Sequence, residues 1–180
     1  MANEKKLDCV ILGLLSHEDL TGYEIKKRMD SYLKFFWSAS FGSIYPTLKE
    51  LVINKLVESS KTNENGRDKI VYTITKRGLS YLKNWLQLPV YKDELRYETL
   101  LKLFFGSEAG AEAAIAHIEN FESKIKEELP LLLNAVKNLE NVINEDESHL
   151  YYLLTVTFGV KVFTAYLEWC EEATNYLHLL

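Results

Sequence analysis

The chain has 180 residues, 47% of them hydrophobic and 26% charged, with only 8 Gly and 3 Pro. Those proportions exclude a disordered tail, a collagen-like repeat and a low-complexity linker, and at about 100–200 residues per domain they leave one domain or two small ones. The net charge of −5 hides an asymmetry: residues 1–88 carry 14 Lys and Arg against 10 Asp and Glu, whereas residues 89–180 carry 7 against 16, so the halves stand at +4 and −9. An anionic partner is expected to meet the front half. Cys9 and Cys170 make no Cys-x-x-Cys pair and no disulfide framework, which suits a reducing cytoplasm. A membrane location is not expected, because no uncharged apolar stretch approaches the ~20 residues of a spanning helix. Leu150–Val160 is interrupted by polar residues and closed by Lys161, and Cys9–Leu15 is too short for a signal segment and runs into His17-Glu18-Asp19.

In chain order, Leu7, Val10, Ile11, Leu14 and Leu15 form one apolar face of a first helix. Thr21 and Glu24, three positions apart, make a capping box that opens a second helix running to about Tyr32, with Tyr23, Ile25, Met29 and Leu33 as its apolar contacts. A third helix is expected from about Gly42 to Lys55. Ser40 or Ser43 caps it, Pro46 sits in its first turn, and Ile44, Leu48, Leu51 and Val52 form its buried stripe. Gly42, Ser43, Pro46, Lys49 and Glu50 then point outward and Tyr45 lies on the flank, so the outward face is small, polar and partly basic. Val57–Thr62 and Lys69–Thr75 read as strands joined through Asn65-Gly66, a dipeptide that accepts positive φ. Thr75 caps a fourth helix carrying Leu79, Leu82, Trp85 and Leu86.

Beyond Pro89 nearly everything has helical spacing. Asp93–Phe105 is strongly apolar. Ser107 is expected to cap a long helix through Leu129, Pro130 either kinks it or starts another, and Leu131–Ile143 continues the pattern. A last helix runs from about Glu147 to Leu179. Its apolar stripe, which includes Leu150, Leu154, Phe158, Val162, Tyr166 and Trp169, is too long for a thin monomeric core and is expected to dimerise. The fold class is therefore mainly α with a small β-hairpin: a winged helix-turn-helix over residues 1–88 and a helical dimerisation domain over 89–180.

Three helices followed by a hairpin suit DNA. A helix with small residues at its N-terminal end can enter a major groove ~12 Å wide, and a basic hairpin tip can reach the neighbouring groove or backbone. The residues offered to double-stranded DNA are Ser40, Ser43, Tyr45, Thr47 and Lys49 of the reader, Arg67 and Lys69 of the wing, and Lys26 and Lys27 of the preceding helix. For each there is a plainer role as cap, helix flank or solvated charge.

Leu12-Gly-Leu-Leu15, Gly22-Tyr-Glu-Ile25, Gly42-Ser-Ile-Tyr-Pro-Thr-Leu48, Leu51, Val57, Gly66-Arg67, Tyr72-Thr-Ile-Thr75 and Gly78 together resemble the PadR family of bacterial transcriptional regulators over most of residues 8–86. Arg96-Tyr-Glu-Thr-Leu-Leu-Lys-Leu-Phe-Phe105 and the helices after it are similar to the longer subgroup with a virulence-activator-like C-terminal domain. The resemblance implies a homodimer that binds a palindromic operator, usually as a repressor, with Tyr45, Arg67 and Lys69 touching DNA. Glu64 and Asp68 beside Arg67 depart from the more basic wings of such proteins and weaken the case for wing contact with phosphates. Some relatives respond to small aromatic effectors; here Trp85, Tyr166, Trp169 and Tyr176 either line such a pocket or fill the core.

Catalysis is not expected. Tyr45 and Lys49 match the Tyr-x-x-x-Lys pair of short-chain dehydrogenases, but no Gly-x-Gly-x-x-Gly follows a strand, so no cofactor is implied. His17, His117, His149 and His178 are too scattered for a metal site. Cys9 is expected in the core and Cys170 at the interface. The competing function is a winged-helix module that senses a ligand or binds a protein without binding DNA.

Overall fold

The structure, a computed structural model, describes residues 4–64, 67–90, 93 and 96–180. The chain divides into two compact units, Met1–Asp93 and Glu94–Leu180. In the first, the element order is α1 (Glu4–Leu15), β1 (Leu20–Thr21), α2 (Gly22–Arg28) continued by a π-helical turn (Met29–Leu33), α3 (Phe41–Ile53), β2 (Val57–Glu64), β3 (Arg67–Ile74) and α4 (Lys76–Leu86).

Helix α1 is the centre of this unit. Ile11 and Leu12 are wholly buried, and Cys9 and Leu15 nearly so, which extends the expected stripe to a second side of the helix. The reason is that α2, α3, α4 and β3 all pack against it, and a helix enclosed on several sides is apolar over most of its circumference. Burial beside Asp8 pushes the Cys9 thiol up to about 11, so Cys9 is an inert core residue.

The sheet is antiparallel with order β1-β3-β2. Strand β1 is only two residues long, too short to show a periodicity in the sequence. It pairs Leu20 with Tyr72 and Thr21 with Val71. The β2–β3 register runs from Val57 opposite Ile74 to Glu64 opposite Arg67, as a two-residue connection requires. Asn65 and Gly66, the expected turn, lie outside the described residues. The alternation expected of Ile70, Tyr72 and Ile74 holds only near the body: Tyr72 is buried, whereas Ile70 is 46% exposed where the hairpin extends into solvent.

The capping box is present. Glu24 N–H donates to Thr21 Oγ1 at 3.2 Å, while Glu24 Oε2 accepts from the Thr21 N–H at 2.8 Å. Thr21 thus ends β1 and starts α2 with the same backbone. At the other end of the hairpin, Thr75 Oγ1 accepts from Gly78 N–H at 3.0 Å and donates to the carbonyls of Lys55 and Leu56. One threonine ties the start of α4 to the end of α3. Helix α3 closes with Leu56 N–H on Leu51 C=O and Lys55 N–H on Val52 C=O, with Lys55 at φ 57°: a left-handed C-terminal cap formed without glycine.

Several expectations are revised. Helix α3 begins at Phe41, so Pro46 is its sixth residue and lies in the second turn, where it withholds a bond from the Gly42 carbonyl. Ser40 is the N-cap by position but makes no side-chain cap bond; its hydroxyl meets that of Ser43 at 3.1 Å instead. Tyr23 is no core contact but 64% exposed, and of the apolar positions on α4 only Leu82 is buried.

The second unit contains α5 (Glu98–Phe104), a 3-10 turn (Gly106–Glu108), α6 (Ala111–Val142) and α7 (Glu147–Leu177). Ser107 does not cap α6; Gly110, at φ 87°, supplies the N-cap. Pro130 starts no new helix; α6 runs through it for 32 residues. Buried Ile118, Ile125 and Leu132 recur every seven residues on α6, the spacing of a helix–helix seam. They face α7, returning antiparallel. Leu132 lies against Gly159, where a β-carbon would come within 3.2 Å of Leu132 Cδ1. Asp146 caps α7 by accepting from Ser148 N–H at 2.7 Å. His149 Nδ1 meets the Val142 carbonyl at 2.7 Å and closes the hairpin.

Cys170 is 1% exposed inside this hairpin rather than at an interface, and burial raises its thiol pKa. By length and composition α7 is long and apolar enough to cross a membrane, contrary to the expectation from Lys161.

Candidate nucleic-acid interface

Helix α3 turns Ile44, Leu48 and Leu51 into the core. At ~100° per residue this directs Gly42, Pro46, Lys49 and Glu50 outward, and all four are exposed. Ser43 is half-buried, with its hydroxyl donating to the Ser40 carbonyl at 3.0 Å. Thr47 is half-buried too, and its hydroxyl donates to the Ser43 carbonyl at 2.8 Å. Tyr45 is 48% exposed on the flank that faces α2.

That flank holds a feature the helical pattern alone did not disclose. Tyr23, Phe41 and Tyr45 form a run of near-parallel rings, with centroids 6.5 Å apart for the first pair and 6.2 Å for the second. All three are at least 43% exposed. Tyr45 can lie there because residue 22 is glycine: a β-carbon at that position would come within 2.6 Å of Tyr45 Cε1. The i, i+4 spacing of Phe41 and Tyr45 was the available signal, but nothing in sequence spacing reveals that Tyr23 joins them.

The basic run on α2 divides by environment. The Lys26 ammonium is ion-paired with Asp30 and lies 5.9 Å from the Phe41 ring centroid. Arg28 makes a two-point contact with Glu18, at 2.9 and 3.0 Å. Lys27 is exposed. On the wing, Arg67 opens β3 opposite Glu64, and Asp68 and Lys69 are exposed. Bonds from Thr21 chiefly, with Lys69 and Arg28 adding to them, hold the Glu24 carboxyl below its usual pKa. Lys69 of the wing and the start of α2 thus share one electrostatic neighbourhood.

In the second unit, the six residues expected to dimerise fall into two groups. Leu150, Leu154 and Phe158 are 45%, 60% and 67% exposed at i, i+4 and i+8. Val162, Tyr166 and Trp169 are half-buried. Tyr166 shares a hydrogen bond of 2.5 Å with Tyr97, and both tyrosines and Trp169 contact Phe121. Burial and that hydrogen bond push the Tyr97 phenol well above its usual pKa. These rings pack edge-on and tilted against one another. A cleft of about 370 Å³ lies elsewhere, between α5 and α6, lined by Leu101, Lys102, Phe105, Ala113, Ala114 and His117. Among the described residues no group of His, Cys, Asp and Glu could hold a metal ion.

The three helices, the β-hairpin and the exposed face of α3 make the first unit a winged helix-turn-helix. Residues 11–84 match the PadR-like transcriptional regulator family, and residues 95–178 match the virulence activator alpha C-terminal domain. The chain thus joins a PadR-like family domain to a virulence activator alpha C-terminal domain, and its relatives are transcriptional regulators rather than enzymes. The negative transcriptional regulator PadR of Bacillus subtilis is 34% identical over 102 residues, which are 55% of this chain and 56% of that protein. The chain spans about half the length of the curated relatives it matches. The crystal structure of Bacillus subtilis PadR with operator DNA is 27% identical, with TM-score 0.79, and covers 95% of this chain and 98% of that one. The same protein is also known with p-coumaric acid, at 26% identity and TM-score 0.72 over 96% and 98% of the two chains. The Vibrio cholerae virulence activator AphA is 26% identical, with TM-score 0.69 over 96% and 98% of the two chains.

Proposed function

We propose that this protein is a cytoplasmic transcriptional repressor that binds a palindromic operator as a homodimer. The exposed face of α3, with Tyr45 seated on Gly22 beside it, is the observation that carries the reading. Residues Ser43, Tyr45 and Lys49 contact one half-site. Ser40 and Thr47 support them, and Lys27, Lys26, Arg67 and Lys69 approach the flanking phosphates. The net charge of +4 on the first half supports this assignment.

Dimerisation rests on α7. Leu150, Leu154 and Phe158 form an exposed apolar row on a long helix, which a second copy would cover. Two-fold symmetry sets the two readers about one duplex turn, ~34 Å, apart. A small aromatic effector would enter the α5–α6 cleft, whose volume falls in the ligand-pocket range. Operator-bound and p-coumaric-acid-bound PadR structures support the DNA and effector assignments by similarity.

The test is to isolate bound genomic fragments and titrate a labelled duplex at 50 and 200 mM salt. Affinity should fall by about three orders of magnitude or more if six or more phosphates are neutralised. Salt-independent binding, or no duplex bound above background, would refute the reading.

A further inference from the structure

Phe41 is the first residue of the reader helix, and its phenyl group is no part of the buried core. It is 43% exposed, outside the core of Ile44, Leu48 and Leu51. Ser40 precedes it and Gly42 follows it in the chain, the Lys26 ammonium stands 5.9 Å from its ring, and the exposed rings of Tyr23 and Tyr45 flank it. The space outside Gly42 is open, with only Ser40 Oγ near a notional β-carbon, at 3.5 Å. A ligand surface can therefore approach the helix backbone next to the ring. The ring is also held in place, since Phe41 links Tyr23 and Tyr45 in a near-parallel run. An exposed apolar group ordered before binding loses little rotamer freedom when it docks.

Within a major groove, the base-edge feature that matches an apolar ring is the thymine 5-methyl group. The other groups displayed there are hydrogen-bond donors and acceptors, which a phenyl cannot satisfy. The first residues of a reader helix are the ones that reach base edges. We propose that Phe41 is a specificity-determining residue that reads a thymine methyl in each operator half-site, with Tyr23 and Tyr45 holding its ring in position. The inference rests on the DNA-binding reading above and adds to it the base and the atom recognised.

The experiment selects bound duplexes from a random library with wild type, Phe41→Ala and Phe41→Leu, after checking that all three melt alike. Wild type should enrich a thymine at symmetric positions, Phe41→Ala should lose that enrichment, and Phe41→Leu should keep part of it. Replacing those thymines by deoxyuridine removes only the methyl groups. Wild type should then bind about threefold or more weakly per half-site, the scale of one buried methyl-sized group, and Phe41→Ala should be indifferent. Equal wild-type affinity for thymine and uracil duplexes would overturn the proposal and leave DNA binding intact, as would a thymine preference that survives in Phe41→Ala. If wild type binds no duplex at all, the DNA-binding reading falls and this inference with it.

Discussion

Gly22 and Tyr45 are in such close contact that a β-carbon on residue 22 would stand 2.6 Å from Tyr45 Cε1 and 3.0 Å from Cζ. One residue opens α2 and the other sits on the flank of α3, so the absence of a side chain on the first helix sets the position of an exposed phenol on the second. Two motifs far apart in sequence, Gly22-Tyr-Glu-Ile25 and Gly42-Ser-Ile-Tyr-Pro46, are therefore parts of one surface.

Gly22→Ala separates stability from binding. Alanine in a first helical turn favours the helix by a few tenths to about 1 kcal/mol, and the atoms it meets belong to an exposed ring that can swing aside. The variant should melt within a few degrees of wild type yet bind duplex DNA several-fold more weakly, because Tyr45 is displaced. Thermal melts paired with fluorescence anisotropy check this; unchanged affinity would detach Tyr45 from the interface.

Gly78→Ala should behave in the opposite way. Its β-carbon would lie 2.1 Å from the Leu56 carbonyl oxygen. That oxygen also accepts from Thr75 N–H at 3.0 Å, so it cannot retreat without loosening the junction of α3, β2 and α4. A loss of about 3 kcal/mol or more is expected, in the range of strained or overpacked core sites, read as a shift of the urea midpoint.

Lys55→Gly should stabilise the protein. Lys55 occupies the left-handed cap at φ 57°, a conformation that costs a residue with a β-carbon roughly 1–2 kcal/mol. Relief of about 1 kcal/mol is expected after the larger unfolded-state entropy of glycine is subtracted. Because Lys55 follows the C-terminal end of α3, whereas Ser43 and Tyr45 lie in its first two turns, DNA affinity should stay unchanged.

Acid sensitivity should trace partly to Glu24. Its folded pKa is depressed, first by the bond from Thr21 N–H. The stabilisation is present above the unfolded carboxylate pKa, ~4.3, and is lost as pH falls through the lower folded value. Glu24→Gln should flatten the stability–pH curve between those two values and leave its neutral-pH slope alone. Denaturant midpoints from pH 3 to 7 would reveal it; parallel curves would assign the acid response to other groups.

Charge on the α7 row tests assembly. Leu154→Asp or Phe158→Asp alters side chains that are 60% and 67% exposed, so each unit should keep its fold. Sedimentation analysis should give a dimer for wild type and a monomer for both variants. DNA affinity should drop with dimer loss, since a half-site alone offers half the contacts. Variants that still sediment as dimers would move the interface elsewhere.

Sequence alone determined what depends on local or periodic interactions. The capping box at Thr21 and Glu24, the cap at Thr75, the stripe of Ile44, Leu48 and Leu51, and a hairpin over this stretch are all written in short-range spacing, and they suffice to indicate a winged helix followed by long helices; the strands themselves run further than expected, to Glu64 and from Arg67. Tertiary structure decided what depends on distant backbones meeting. It paired Leu20 and Thr21 with β3, put Leu12 on a second buried side of α1, exposed Tyr23 and set it beside Phe41, and turned Tyr166 and Trp169 inward onto Phe121. The physical reason is that periodicity reports whether a face is apolar, while burial depends on which other surfaces reach it. That second quantity exists only once the chain has folded.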